Sequence, residues 1–189
     1  GRRFSLMLEA NDRVMRALPA AQKSQLGEVR ALRGKVDGVP GSWVRLTRVG
    51  STLQGAIWDG NEMYVVAPYH SIAANLTTPL PVAPDQTVVY RLSDTLDGLP
   101  PEFCGVVDNL PQSKATDSGL VQFKTIVSGL RANAATLEDS LDIALIADRL
   151  FQESAGGAAI ERMIARLNVV DGIFAEQVGV VILPSEIHL

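Results

Sequence analysis

The fold is decided by residues 29–67, which read VRALRGKVDGVPGSWVRLTRVGSTLQGAIWDGNEMYVVA. Apolar and polar residues alternate along four short runs, and clusters of Gly, Pro, Asp and Asn separate some of these runs. Such alternation is typical of strands with one buried face, and such clusters are typical of tight turns. The stretch therefore predicts an antiparallel meander. Its strands are 29–36, 43–49, 53–58 and 63–67, and its clearest turns are 37–41 and 59–61.

Further strands flank this meander on both sides. Phe4, Leu6 and Leu8 alternate with other residues, which predicts a half-buried strand, and residues 87–92 continue the strand pattern. Residues 14–26 are interrupted by Pro19 and predict a short helix or a loop. We therefore expect an antiparallel β-rich domain over residues 1–110.

The last fifty residues have a different pattern. An apolar run at 143–147 suits a buried strand, and residues 180–183 are again apolar and β-branched. Between them, residues 154–157 open a long helical pattern. This pattern places one set of apolar residues on a single helical face: Ile160, Met163, Ile164, Leu167, Val170, Phe174 and Val178. Strand, helix and strand in this order predict a β-α-β unit over residues 139–189. Small and polar residues at 111–138 predict a connecting or activation segment, so the expected fold class is α+β.

Composition excludes several classes of partner. The formal net charge is −4, and the 17 basic residues are scattered without interleaved aromatics, so we expect no nucleic-acid binding. No apolar run approaches the roughly 20 residues that span a bilayer, so we expect no transmembrane segment. Gly1-Arg2-Arg3 is not a natural start, which suggests that a signal peptide has been removed or left out.

Residues for a complete catalytic site are missing from the sequence. Only two histidines occur, His70 and His188, and neither stands in a His-Glu-x-x-His arrangement, which zinc hydrolases commonly use. A Gly-x-Ser-x-Gly nucleophile elbow is absent as well. The chain alone is therefore expected to be inactive.

Three segments near the end of the sequence follow one another in a specific order. They are Asp142-Ile-Ala-Leu-Ile-Ala-Asp148, Asn168-Val-Val-Asp171 with Phe174, and Val180-Val-Ile-Leu-Pro-Ser-Glu186-Ile187. Together they resemble the start of the catalytic domain of a reprolysin (adamalysin)-like zinc metalloprotease, a metzincin, of a bacterial secreted type. The resemblance implies that residues 139–189 begin an α/β metzincin catalytic domain. The family's zinc-binding helix would lie beyond Leu189.

A second motif precedes this unit. Phe103-Cys104-Gly105-Val106-Val107-Asp108 is similar to the cysteine switch of metzincin pro-regions, although Val107 replaces the proline of the matrix metalloproteinases. A thiolate is a strong zinc ligand that can displace the attacking water. The resemblance implies that Cys104 is an inhibitory zinc ligand, with Gly105 and Asp108 as switch positions. The alternative is that Cys104 is a buried apolar residue.

Asp142 is a candidate calcium ligand. It stands where the resembling family often has a Glu that helps to bind a structural calcium ion, and a carboxylate suits that ion. The alternative is a solvated aspartate at the start of a strand.

The resemblance implies a function for the whole chain. It would be the inhibitory and folding-assisting pro-region, with the start of the catalytic domain, of a secreted zinc-dependent metalloendopeptidase. Its partners would be its own downstream catalytic domain and the protein substrates of the parent enzyme. The alternative is a secreted β-sandwich binding or adhesion module without enzymatic activity, in which Trp43, Trp58 and Tyr64 form a ligand-stacking face.

Overall fold

Six strands form one antiparallel sheet at the beginning of the chain. The computed structural model describes residues 2–16, 18–24, 26–76, 78–94 and 139–189. Each strand of the sheet pairs with its neighbours in sequence. The strands are β1 (Leu6–Ala10), β2 (Val29–Val36), β3 (Trp43–Val49), β4 (Thr52–Trp58), β5 (Met63–Pro68) and β6 (Thr87–Arg91). The predicted meander is confirmed, and the bounds of β2 and β3 agree with those expected from the alternation.

Two short helices connect β1 to β2. They are α1 (Arg13–Arg16) and α2 (Ala20–Lys23), and Pro19 directly precedes α2. Proline suits a helix start because its missing N–H would have no partner there. Val14 and Leu18 are buried, which fixes this connection against the rest of the molecule.

The C-terminal part is a strand–helix–strand unit. It consists of β7 (Asp139–Ile146), α3 (Arg149–Ala155), α4 (Ala159–Ile173) and β8 (Val180–His188), and β7 pairs with β8 in parallel. A π-helical turn at Phe174–Val178 extends α4. Gly179 then ends the helix with a left-handed φ of 81°, which glycine adopts without a steric penalty. The fold is α+β, with a β-rich N-terminal part.

The N-terminal sheet and the C-terminal unit share their hydrophobic core. One cluster combines Val14 and Ala31 with Leu167 and Ile182, and another packs Leu18 against residues of α4 and β8. The segment predicted to connect the two parts, residues 111–138, lies outside the described residues. The domain bounds at 110 and 139 therefore stay a prediction. The described residues of the two parts nevertheless pack directly against each other.

One expectation about α4 is corrected at its C-terminal half. The helical periodicity predicted a single apolar face that includes Val170, Phe174 and Val178, yet these side chains are 37%, 36% and 38% exposed. Asn168 and Asp171 are fully buried instead. The reason is that hydrogen-bond donors and acceptors of the sheet lie opposite this half of the helix. Asn168 and Asp171 bond to them and are therefore buried.

None of the helices in the described ranges is long and apolar enough to cross a membrane.

Candidate functional site

The residues of the predicted cysteine switch lie outside the described part of the chain. Cys104, Gly105 and Asp108 all fall between Asp94 and Asp139. Their role as an inhibitory zinc ligand and its neighbours stays a prediction from the resemblance.

The calcium candidate Asp142 lies within β7 with an exposed side chain. Calcium takes six to eight oxygen ligands. Among the described residues, no group of three or more His, Cys, Asp or Glu side chains lies together. The role of Asp142 as a calcium ligand stays a prediction from the resemblance.

The two histidines lie in different parts of the fold and have local partners. Nδ1 of His70 lies 3.1 Å from the carbonyl oxygen of Pro84, in the connection between β5 and β6. Nε2 of His188 lies 3.2 Å from the carboxylate of Glu186 on β8. The described ranges thus bring no zinc-binding set of side chains together, and the zinc ligands of the parent protein remain a prediction about residues outside this chain.

The three aromatic residues proposed as one stacking face are divided between the two faces of the sheet. Trp43 pairs with Trp58 across β3 and β4, whereas Tyr64 pairs with Ile57. Because side chains alternate along a strand, Tyr64 points away from the two tryptophans. The expectation of a shared face is therefore wrong.

The face that carries Tyr64 lines an open pocket. The pocket has a volume of about 750 Å³ and is lined mainly by apolar side chains such as Phe4 and Ile57. At its rim the guanidinium of Arg2 binds the carboxylate of Asp59 and the hydroxyl of Tyr64.

Asp59 at this rim is a titrating group with a shifted pKa. Burial would raise the pKa of Asp59, but its Oδ1 accepts hydrogen bonds from the backbone N–H groups of Glu62 and Asn61 at 2.7 and 2.9 Å. These bonds and the charge of Arg2 favour the ionised form. The net result is a pKa below the usual value of 3.8.

The opposite face carries a buried polar cluster, which is the most unusual feature of the described structure. Oδ2 of Asp171 on α4 accepts three hydrogen bonds. The donors are Nδ2 of Asn11 at 3.1 Å, a terminal nitrogen of Arg13 at 2.8 Å and Nε of Arg45 at 3.1 Å. All three donors come from the N-terminal part. Charges this deeply buried are stable only when paired and hydrogen-bonded, so the three donors hold the helix in one position.

Asn168 lies one helical turn before Asp171 and completes the cluster. Its Oδ1 accepts a bond of 2.8 Å from Asn11. Its Nδ2 donates to the carbonyl oxygen of Leu46 at 3.0 Å and lies 3.1 Å from Oγ1 of Thr47. Both ends of the amide therefore contact the N-terminal part.

Gly172 allows the helix to approach the sheet closely at this point. A Cβ atom built on Gly172 would lie 2.5 Å from Cγ of Arg45 and 2.9 Å from Cζ3 of Trp43. Any larger residue would push the helix away from the sheet. The close approach brings Asp171 within hydrogen-bonding distance of Arg45.

The cluster joins the two parts of the fold and contains no nucleophile paired with a base. Three of its buried polar atoms have no hydrogen-bond partner among the described residues, namely Nε of Arg13 and the Oδ1 atoms of Asn11 and Asp171. Arg45 also bonds to Glu176, whose side chain is 44% exposed. The sequence marked these residues without pairing them. Arg45 and Thr47 share one face of β3 with Trp43, and Asn168 and Asp171 belong to the segment that resembles a reprolysin.

Comparisons of the chain with protein-family models, with curated proteins and with solved structures found no match.

Proposed function

We propose that this chain is the inhibitory and folding-assisting pro-region, together with the start of the catalytic domain, of a secreted zinc-dependent metalloendopeptidase. Residues 139–189 resemble the opening of a reprolysin domain, and residues 103–108 resemble a cysteine switch. The catalytic zinc ligands would lie downstream of this chain. Its partners would be the downstream catalytic domain and, through the parent enzyme, protein substrates.

The observation that best supports this function is the contact between Arg45 and Asp171. Asp171 belongs to the Asn-Val-Val-Asp segment that resembles the protease, and Arg45 lies at the centre of the N-terminal sheet. A pro-region must bind the domain that it keeps latent and helps to fold. A buried ion pair between the two parts is a contact of the required kind.

The test is the latency of the zinc-loaded precursor with Cys104→Ser. A hydroxyl is a poorer zinc ligand than a thiolate at neutral pH, so water returns to the metal and activity rises without cleavage. Thiol-alkylating reagents should activate the wild-type precursor and leave the Ser variant little changed. Proteolysis of a casein substrate is measured for both precursors, with thermal unfolding as a control for folding.

Equal latency in a correctly folded, zinc-loaded pair would remove Cys104 from the proposed mechanism. A parent protein that contains no zinc by elemental analysis would remove the protease function itself.

The alternative function, a binding module without enzymatic activity, is favoured by one observation, the apolar pocket beside Tyr64. Ligand pockets are commonly concave and mainly apolar with a few polar groups at their rim. Tyr64→Ala would weaken the binding of an apolar ligand seated there, as measured by titration calorimetry. Zinc in the parent protein distinguishes the two functions.

A further inference from the structure

We propose that Asn11, Arg13, Arg45 and Thr47 form a helix-recognition site in the N-terminal part. Its ligand is a helix that presents Asn and Asp three residues apart, here Asn168 and Asp171. This site keeps residues 139–189 bound after the chain between the two parts is cut. The inference deepens the proposed function, because activation would then require dissociation as well as cleavage.

The spacing of the two ligand residues matches the site. Residues three apart lie on the same face of a helix, so Asn168 and Asp171 reach the sheet together. Nδ2 of Asn11 bonds to both of them, at 2.8 and 3.1 Å. A helix that lacks either residue would leave Asn11 with an unmatched donor in a position that is only 1% exposed.

Charge makes the recognition selective. The side chains of Arg45 and Asp171 are 2% and 0% exposed, and that of Arg13 is 16% exposed. Removing one partner of a buried ion pair leaves an uncompensated buried charge. The loss of stability is then much larger than when both partners are replaced by apolar residues. A helix with a neutral residue at position 171 is therefore rejected.

A second contact holds the same unit at β8, independently of the charges. The side-chain amide of Gln22 accepts a bond of 3.1 Å from the N–H of Ile187 and donates one of 2.6 Å to its carbonyl oxygen. The amide thus satisfies both backbone groups of Ile187, as a neighbouring strand would do. Together the two contacts bind a helix and a strand edge of the C-terminal unit.

Both contacts are non-covalent and neither involves residues 95–138. In addition, Val14 and Leu18 of the N-terminal part lie in hydrophobic clusters with residues of α4 and β8. Association therefore does not depend on an intact backbone between the two parts.

The experiment uses the full chain with a recognition sequence for a site-specific protease placed within residues 111–138. The folded chain is cut to completion, as judged on a denaturing gel, and then examined by size-exclusion chromatography and native mass spectrometry at micromolar concentration. We expect both fragments to remain together with the mass of the intact chain. Asp171→Asn should raise their dissociation constant by at least about 100-fold.

Arg13→Gln provides a milder second variant, because the side chain of Arg13 is partly exposed and Arg45 still neutralises Asp171. It should raise the dissociation constant by about 10-fold, and it serves as the test if Asp171→Asn does not fold. Glu9→Gln is the control. It removes an ion pair with Arg33 that is exposed to solvent on the same sheet, so the change should stay below about 3-fold.

Separation of the wild-type fragments at micromolar concentration would overturn the inference. So would a folded Asp171→Asn or Arg13→Gln variant whose fragments bind as tightly as those of the Glu9→Gln control. None of these measurements depends on zinc or proteolytic activity, so their outcome is independent of the Cys104 test.

Discussion

Arg45 and Asp171 stand 126 residues apart in the sequence, yet Nε of Arg45 lies 3.1 Å from Oδ2 of Asp171. Their side chains are 2% and 0% exposed. The pair joins the central part of the N-terminal sheet to the helix of the C-terminal unit. Removing one partner of such an ion pair strongly destabilises a protein. The intact pair, however, adds little stability relative to well-packed apolar residues at the same positions.

Replacing Asp171 alone should therefore destabilise the intact chain more than replacing Asp171 together with its two arginine partners. Asp171→Leu alone should lower the free energy of unfolding by about 3 to 5 kcal/mol, because Arg13 loses its counter-charge and the buried Arg45 keeps only Glu176. Combining it with Arg13→Met and Arg45→Met should recover most of that loss. Urea denaturation measures both. A loss below about 1 kcal/mol for Asp171→Leu, compared with the exposed control Arg149→Met, would contradict the importance of the pair.

The close approach of α4 to the sheet can be tested at Gly172. Gly172→Ala places a methyl group against Arg45 and Trp43, so we expect a loss of about 1 to 3 kcal/mol from overpacking. Gly157→Ala is the matched control, because no atom lies within 4 Å of a Cβ built there. If thermal unfolding shows the same stability for both variants, the helix is not tightly fixed at this point.

The contact between Gln22 and Ile187 should be visible in amide exchange. Gln22→Ala leaves the N–H of Ile187 without its acceptor, so its hydrogen exchange should be faster by about 10-fold, and the free energy of unfolding should fall by about 1 to 2 kcal/mol. Gln86→Ala, which removes an exposed amide elsewhere, serves as the control. Unchanged exchange at Ile187 would show that α2 does not protect the edge of β8.

Acid should destabilise the turn at Asp59. Its pKa in the folded chain lies below 3.8, so its ionised form adds stability above that pH and loses it as the pH falls through the folded pKa. The wild type should therefore lose more stability between about pH 5 and pH 2 than Asp59→Asn, which cannot ionise. Denaturant unfolding at several pH values gives the comparison. Parallel curves for the two proteins would refute the effect.

The local pattern of the sequence determined the strands. Alternation over residues 29–67 has a period of two, and the turns at 37–41 and 59–61 contain the residues that reverse a chain, so strand bounds followed from neighbours within a few positions. The end of the helical segment at Gly179 could also be predicted locally. It depends on a single residue, a glycine, that adopts a left-handed φ without strain.

The periodicity correctly buried Ile160, Ile164 and Leu167, but only the tertiary structure decided which residues face the sheet in the C-terminal half of α4. Hydrophobic periodicity assigns Val170 and Phe174 to the interior and gives no reason to bury Asn168 and Asp171, because burial of an isolated polar group is costly. That cost is removed only by partners that are distant in the sequence, namely Asn11, Arg13, Arg45 and Thr47. No window of neighbouring residues contains both halves of such a contact, so only the folded chain could reveal it.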